Sequence, residues 1–162
     1  MRWEELPNAR CSVARSLAVI GDRWTLVILR DCFRGLSRFE QFQEQLGISR
    51  TIVTDRLATL VAEQVLEKVV YQERPLRHEY RLTQKGKDLY PVMMAIRQWG
   101  DIYCAGSVGP PNRFQHIDCG HNFEAVCTCS ECGGEITADN VKMIPGPAKP
   151  AKRPSALPAR RR

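Results

Sequence analysis

In the N-terminal part of the chain the apolar positions recur at helical spacing and are broken at glycine. Val13, Leu17 and Ile20 share one face of a first helix that Gly21 ends. Asp22 can cap a second helix over 23–33, where Trp24, Leu26, Val27, Ile28 and Leu29 are apolar around most of the circumference, as in a central core helix that Gly35 terminates. Ser37 followed by Glu40 has the spacing of a capping box, and Phe39, Phe42 and Leu46 then line a short third helix closed by Gly47. Ser49 caps a fourth. In it Val53, Leu57 and Leu60 recur at i, i+4 and i+7 and pack inward, leaving Thr51, Thr54, Asp55 and Ala58 outside. A short helix, a glycine turn and a second helix with small polar residues on its outer face is the pattern of a helix-turn-helix.

The period changes between Val69 and Thr83. Val69, Val70 and Tyr71 precede Glu73, Arg74, Pro75, Leu76 and Arg77, after which Tyr80 and Leu82 alternate with Glu79 and Arg81. This reads as a β-hairpin with a basic tip, the wing that follows a recognition helix. Thr83 can cap a last long helix in which Leu89, Val92, Ile96, Trp99 and Tyr103 form a 3-4-3-4 seam for a second copy of the chain; Pro91 kinks it or marks its true start. The expected fold is mainly α with a small β-wing, a winged helix-turn-helix over 1–105, then a linker over 106–113, a small Cys/His-rich zinc-ribbon-like module over 114–144 and a basic, Pro-rich tail over 145–162.

Charge adds one correction to this picture. The net charge is +6, with 24 Lys and Arg against 18 Asp and Glu, and the whole excess sits in Lys149, Lys152, Arg153, Arg160, Arg161 and Arg162. Any DNA affinity of the formally neutral body must therefore come from local patches. The tail is too rich in Pro, Ala and basic residues to fold and is expected to be a mobile arm that scans phosphates, or a merely solubilising end. No apolar run approaches the roughly 20 residues that cross a bilayer, and the start MRWEELPNARC lacks a secretory signal, so a cytoplasmic protein without a membrane partner is expected.

Several motifs match a known family together: the early Cys11 before VAR, GDRWTLVILRD, RFEQF, GISRTIVTDRLATL, YRLTQKG and WGD. From Cys11 to Tyr103 the chain resembles the HxlR family. That resemblance implies a dimeric winged-helix regulator related in fold to MarR proteins, with terminal helices in the dimer interface and wings on DNA. It also implies a non-enzymatic transcriptional regulator, with repression as the expected outcome, that binds an inverted-repeat double-stranded operator. The start of the recognition helix approaches base edges most closely, which selects Ser49, Arg50, Thr51, Thr54 and Asp55, the last either as a base reader or as a partner holding an arginine. Arg56 and Arg38 are phosphate candidates. Arg74 and Arg77, with His78, are placed to enter or flank the minor groove.

The seven cysteines fall into two sets. Cys11, Cys32 and Cys104 are scattered, whereas Cys119, Cys127, Cys129 and Cys132 cluster, and an odd number without a secretion signal argues against a disulfide framework. His116-Ile117-Asp118-Cys119-Gly120 and Cys129-Ser130-Glu131-Cys132-Gly133 nearly repeat. In a zinc knuckle the glycine after the second ligand permits the tight turn that aims backbone N–H groups at the thiolate, so one structural zinc on His116, Cys119, Cys129 and Cys132 is expected, with His121 and Cys127 as competing ligands and reduced thiols as the alternative. Residues 122–128 are expected to form part of a hairpin that completes the ribbon. Two other functions compete with the regulator: a dithiol oxidoreductase using Cys129 and Cys132, which lacks the βαβ setting, and a zinc-ribbon protein or RNA adaptor, which would not carry a recognition helix. The resemblance further implies a redox or electrophile sensor at Cys11, with a small residue at the dimer edge as the alternative.

Overall fold

The computed structural model describes residues 3–146, so the tail expected from 145 lies outside the described residues from 147 onward. Helix α1 (Ser12–Ile20) ends as the Gly21 N–H donates to the Leu17 carbonyl, and the Asp22 carboxylate accepts the Trp24 N–H at 2.9 Å to start α2 (Arg23–Phe33). Ile28 and Leu29 of α2 have no exposed surface. Around them pack Phe42, Val53, Leu57, Leu60, Val65 and Leu66, one contiguous core. Fully burying a Leu, Ile or Phe contributes about 1.5 to 3 kcal/mol each, which makes this cluster the main stabilising term.

Helix α3 (Phe39–Leu46) starts one residue later than the Ser37–Glu40 spacing predicts. The wing competes for the same groups: Arg38 bridges to Glu79, the Tyr80 N–H donates to the Ser37 carbonyl at 2.7 Å, and the Ser37 hydroxyl donates to Glu79 Oε2 at 3.3 Å. Gln41 takes over the capping, its carboxamide oxygen accepting from the N–H groups of Ser37 and Arg38 at 3.1 and 2.9 Å. Gly47, at φ +61°, closes α3 in the left-handed region that a side chain would disfavour. Ser49 Oγ then accepts the Ile52 N–H at 3.4 Å and opens α4 (Arg50–Ala62). Val53, Leu57 and Leu60 face inward as their spacing predicts.

Strands β1 (Leu66–Glu73) and β2 (Leu76–Leu82) pair antiparallel, Leu66 opposite Leu82 and Val70 opposite His78, with an irregularity between Val70 and Gln72 that leaves Tyr71 without a partner in the register. Thr83 caps only a short helix α5 (Gln84–Lys87), accepting the Gly86 N–H at 3.1 Å while its hydroxyl donates to the Gln64 carbonyl at 2.7 Å. A Cβ on Gly86 would lie 2.3 Å from the Val65 carbonyl oxygen, so only glycine lets α5 approach the root of the wing. The expected single long helix is therefore two, and α6 (Tyr90–Tyr103) begins anew with Pro91 in its first turn, where a missing N–H costs nothing. Leu89, expected in the outer seam, packs against the core instead, because it precedes α6 rather than lying within it.

The boundary expected at 106–113 also moves. The chain divides into two compact units between Ala125 and Val126. The first unit retains the short strands β3 (Gln115–His116) and β4 (His121–Asn122), because the Arg97 guanidinium stacks on the Phe114 ring at 4.4 Å and the Ala125 N–H donates to the Gln98 carboxamide. In the second unit Thr128 bridges to Glu135 and the Ile136 N–H donates to the Cys127 carbonyl at 2.8 Å. Of residues 122–128, Asn122 thus pairs with Gln115 and Thr128 bridges to Glu135, while 123–127 between them carry no strand.

Candidate nucleic-acid interface

The first turn of α4 follows the left-handed Gly47 turn and presents Ser49, Arg50, Thr51, Thr54 and Asp55, all exposed. The Arg50 guanidinium rests on the Phe39 ring at 4.6 Å, and the Arg38 guanidinium on the Tyr71 ring at 4.6 Å. A cation on an aromatic face contributes about 0.5 to 1 kcal/mol at an exposed site and limits the rotamers of a long side chain while leaving the N–H edge of the guanidinium free. Both arginines are therefore held in advance with their donors unspent. Neither forms an ion pair among the described residues, and the Asp55 carboxylate pairs with no arginine there either.

At the wing tip Arg74 and Arg77 are exposed and unpaired among the described residues, and the Gln72 carboxamide donates to the Arg74 carbonyl at 3.0 Å across the turn. His78 is half-buried opposite Val70. Glu79 anchors the wing root, accepting from Arg81 Nε at 2.8 Å and from the Ser37 hydroxyl. Arg56 departs from its expected role. It lies beside the inward Val53–Leu60 stripe, so its side chain runs along the start of α2 and pairs with Asp22 at 3.5 Å, half-buried, where it ties α4 to α2. The supporting rings of Phe39 and Tyr71 carry no signal in the periodicity, since one reads as core and the other as an ordinary strand residue.

On α6, Val92, Ile96, Trp99 and Tyr103 are exposed, and Ile102 joins them; Val13 and Leu17 are exposed on α1. Seven apolar side chains on two helices are left in water, exposure of the kind that marks a contact site.

The cysteines separate by environment. Cys32 is buried, and burial together with the neighbouring Asp31 carboxylate pushes its thiol up to about 12, so it is inert. Cys11 is exposed just ahead of α1; Arg15 nearby donates instead to the Ala9 and Arg10 carbonyls at 2.8 and 3.1 Å and to the Ser12 hydroxyl at 3.0 Å. In the first unit His116 Nδ1 and Cys119 Sγ are 3.4 Å apart, with Gly120 at φ +69°. In the second, the Cys129 thiol is lowered by hydrogen bonds from the backbone N–H groups of Cys132 and Glu131 and from the Cys132 side chain, with Gly133 at φ +72°. Each string forms a tight turn closed at its glycine, the Gly120 N–H donating to the His116 carbonyl at 2.8 Å and the Gly133 N–H to the Cys129 carbonyl at 2.9 Å. No group of three or more His, Cys, Asp or Glu is gathered as a metal site among the described residues. Nor is any described helix long and apolar enough to cross a membrane.

Three comparisons bear on this geometry. A family model described as HxlR-like helix-turn-helix matches residues 19–107. The chain is 45% identical over 141 residues to the uncharacterized HTH-type transcriptional regulator Rv3095 of Mycobacterium tuberculosis, covering 87% of this chain and 89% of that protein. Among solved structures it is similar to PA1607, a candidate transcription factor, at a TM-score of 0.77 and 38% identity over 85% of this chain and 96% of that one, and to the redox regulator HypR in its reduced form, at a TM-score of 0.54 and 29% identity over 57% and 92%.

Proposed function

The chain belongs to the HxlR-like helix-turn-helix family of transcriptional regulators, and from that premise we propose that it binds a double-stranded operator as a homodimer and represses transcription there. The observation that carries the reading is the exposed first turn of α4 with Arg50 propped on Phe39, a donor edge ready for a base. Ser49, Thr51, Thr54 and Asp55 read beside it, Arg38 on Tyr71 grips phosphate, and Arg74 and Arg77 reach from the wing. A second copy covers the apolar surface of α1 and α6. The resulting two-fold sets the recognition helices about 34 Å apart, one turn of DNA, and makes the operator an inverted repeat.

Arg50→Ala should weaken binding to the selected operator by about 1 to 3 kcal/mol more than to random DNA, whereas Arg77→Ala should weaken both alike and reduce the salt slope. Titration of both variants against the full operator and a single half-site reads this directly. An unchanged specificity ratio for Arg50→Ala would remove α4 from the groove, and equal affinity for half-site and full repeat would remove the dimer.

Two chemical roles complete the proposal. The likeness to a redox regulator and the exposed thiol of Cys11 support oxidation of Cys11 as a signal. Oxidant should then change operator affinity in the natural protein and leave Cys11→Ser unaffected; an equal response in both would discard that sensor. Structural zinc on His116, Cys119, Cys129 and Cys132 is supported by the turn geometry of each string taken by itself. Four protein ligands leave no open position for catalysis, in keeping with a family of regulators.

A further inference from the structure

Between α2, α6 and the segment 111–114 lies a cavity of 540 Å³ that the DNA-binding reading does not use. Its floor is apolar: Phe33 and Tyr90 meet edge to face at 4.9 Å, with Met93 and Met94 beside them. Its rim is cationic. Arg30, Arg34, Arg97 and Arg113 all line it. Two carboxylates answer these four guanidiniums. The fully buried Asp31 accepts Nε and Nη2 of Arg30 at 2.9 and 3.1 Å and lies 3.6 Å from Arg34, while Asp101 pairs with Arg97. Arg113 has no counterion among the described residues, and the buried Nε of Arg97 has no hydrogen-bond partner. The cavity thus joins an aromatic floor to two uncompensated positive charges, and its size is that of a small-molecule site.

We propose that this cavity binds a small aromatic carboxylate, its ring on the Phe33–Tyr90 floor and its carboxylate on the arginine rim, and that the ligand thereby sets operator affinity. The second half rests on the regulator reading; the first does not. Arg113 and Phe114 lie beyond residues 19–107, so the cavity is completed by a segment outside the stretch the family match covers. Its α6 residues Tyr90, Met93, Met94, Arg97 and Asp101 follow i, i+3, i+4, i+7 and i+11, a face turned away from Val92, Trp99 and Tyr103; Ile96 alone belongs to both, so a partner on that apolar surface meets the cavity at its edge and leaves the arginine-lined side free. Coupling to DNA follows from α2. Its outer side carries Arg30, Phe33 and Arg34, while Ile28 and Leu29 pack with Val53, Leu57 and Leu60 of α4 and Asp22 holds Arg56. A ligand wedged between α2 and α6 displaces the helix on which the recognition helix sits.

The test is calorimetric titration of the full chain with 2-naphthoate and with the neutral 2-naphthamide, then with Arg113→Gln and Phe33→Leu variants. Naphthoate should bind, and loss of the charge on either side should weaken binding about tenfold, as expected for a charge-assisted hydrogen bond. Acid and amide binding alike, or no binding of naphthoate up to about 1 mM, would overturn the site. Saturating naphthoate should also shift operator affinity, and operator should shift naphthoate affinity by the same factor. Binding without that reciprocal shift would overturn the regulatory half alone, whereas absence of operator binding by the ligand-free protein would count against the DNA reading and leave the site standing.

Discussion

The winged-helix core and the second unit are held together by different physics. In the first, Phe42, Ile28, Leu29, Leu57, Leu60 and Leu66 are essentially without exposed surface, whereas among described residues 126–146 none is buried and only Cys129 is half-buried. What orders the second unit is backbone hydrogen bonding: the Cys129 N–H donates to the Gly134 carbonyl at 2.8 Å, the Gly133 N–H to the Cys129 carbonyl at 2.9 Å and the Ile136 N–H to the Cys127 carbonyl at 2.8 Å. Such bonds contribute a net of about 0.5 to 1.5 kcal/mol each, and fixing each residue's backbone costs about 1 to 2. A segment with that balance needs a further source of stability, and this is the energetic argument for the proposed zinc. Apolar burial carries the reading head; turns and thiols carry the appendage.

The sharpest way to break this contrast is Phe42→Ala, which should lower the unfolding free energy of the first unit by about 3 to 5 kcal/mol, with a smaller loss of about 1 to 3 for Gly86→Ala, where the added Cβ meets the Val65 carbonyl. Denaturant unfolding of both variants provides the values; a loss below 1 kcal/mol for Phe42→Ala would show that the core does not bear the load.

The smallest effect on the first unit belongs to Cys129→Ser with Cys132→Ser, a half-buried and an exposed position outside its apolar core, which should move its stability by less than about 0.5 kcal/mol. The same pair should lose zinc in elemental analysis of protein purified without added metal and gain protease sensitivity beyond Ala125. Metal-free natural protein with an equally resistant second unit would refute the zinc proposal and return the cysteines to plain thiols or a redox pair.

Legibility in the sequence tracked distance along the chain. Spacing and caps placed α1, α2 and α4, the inward Val53, Leu57 and Leu60, the wing and the glycine turns of both cysteine strings, since each depends on residues within one or two turns of one another. Ser37 escaped because Glu79 competes for its hydroxyl from 42 residues away. Arg56 escaped because Asp22 belongs to another helix, Leu89 because α5 and α6 break between Lys87 and Tyr90, and the unit boundary because Phe114 docks on Arg97.

By itself, then, the sequence determined a helix-turn-helix with a basic wing, which residues head the helix after the Gly47 turn, and a left-handed glycine turn in each cysteine string, because periodicity, capping and left-handed turns are local. Tertiary structure alone decided that Arg50 and Arg38 are propped on Phe39 and Tyr71, that Arg56 braces α2, and that four arginines surround an aromatic cavity. Those features depend on where separate elements come to rest against a shared core, and no run of neighbouring residues encodes that distance.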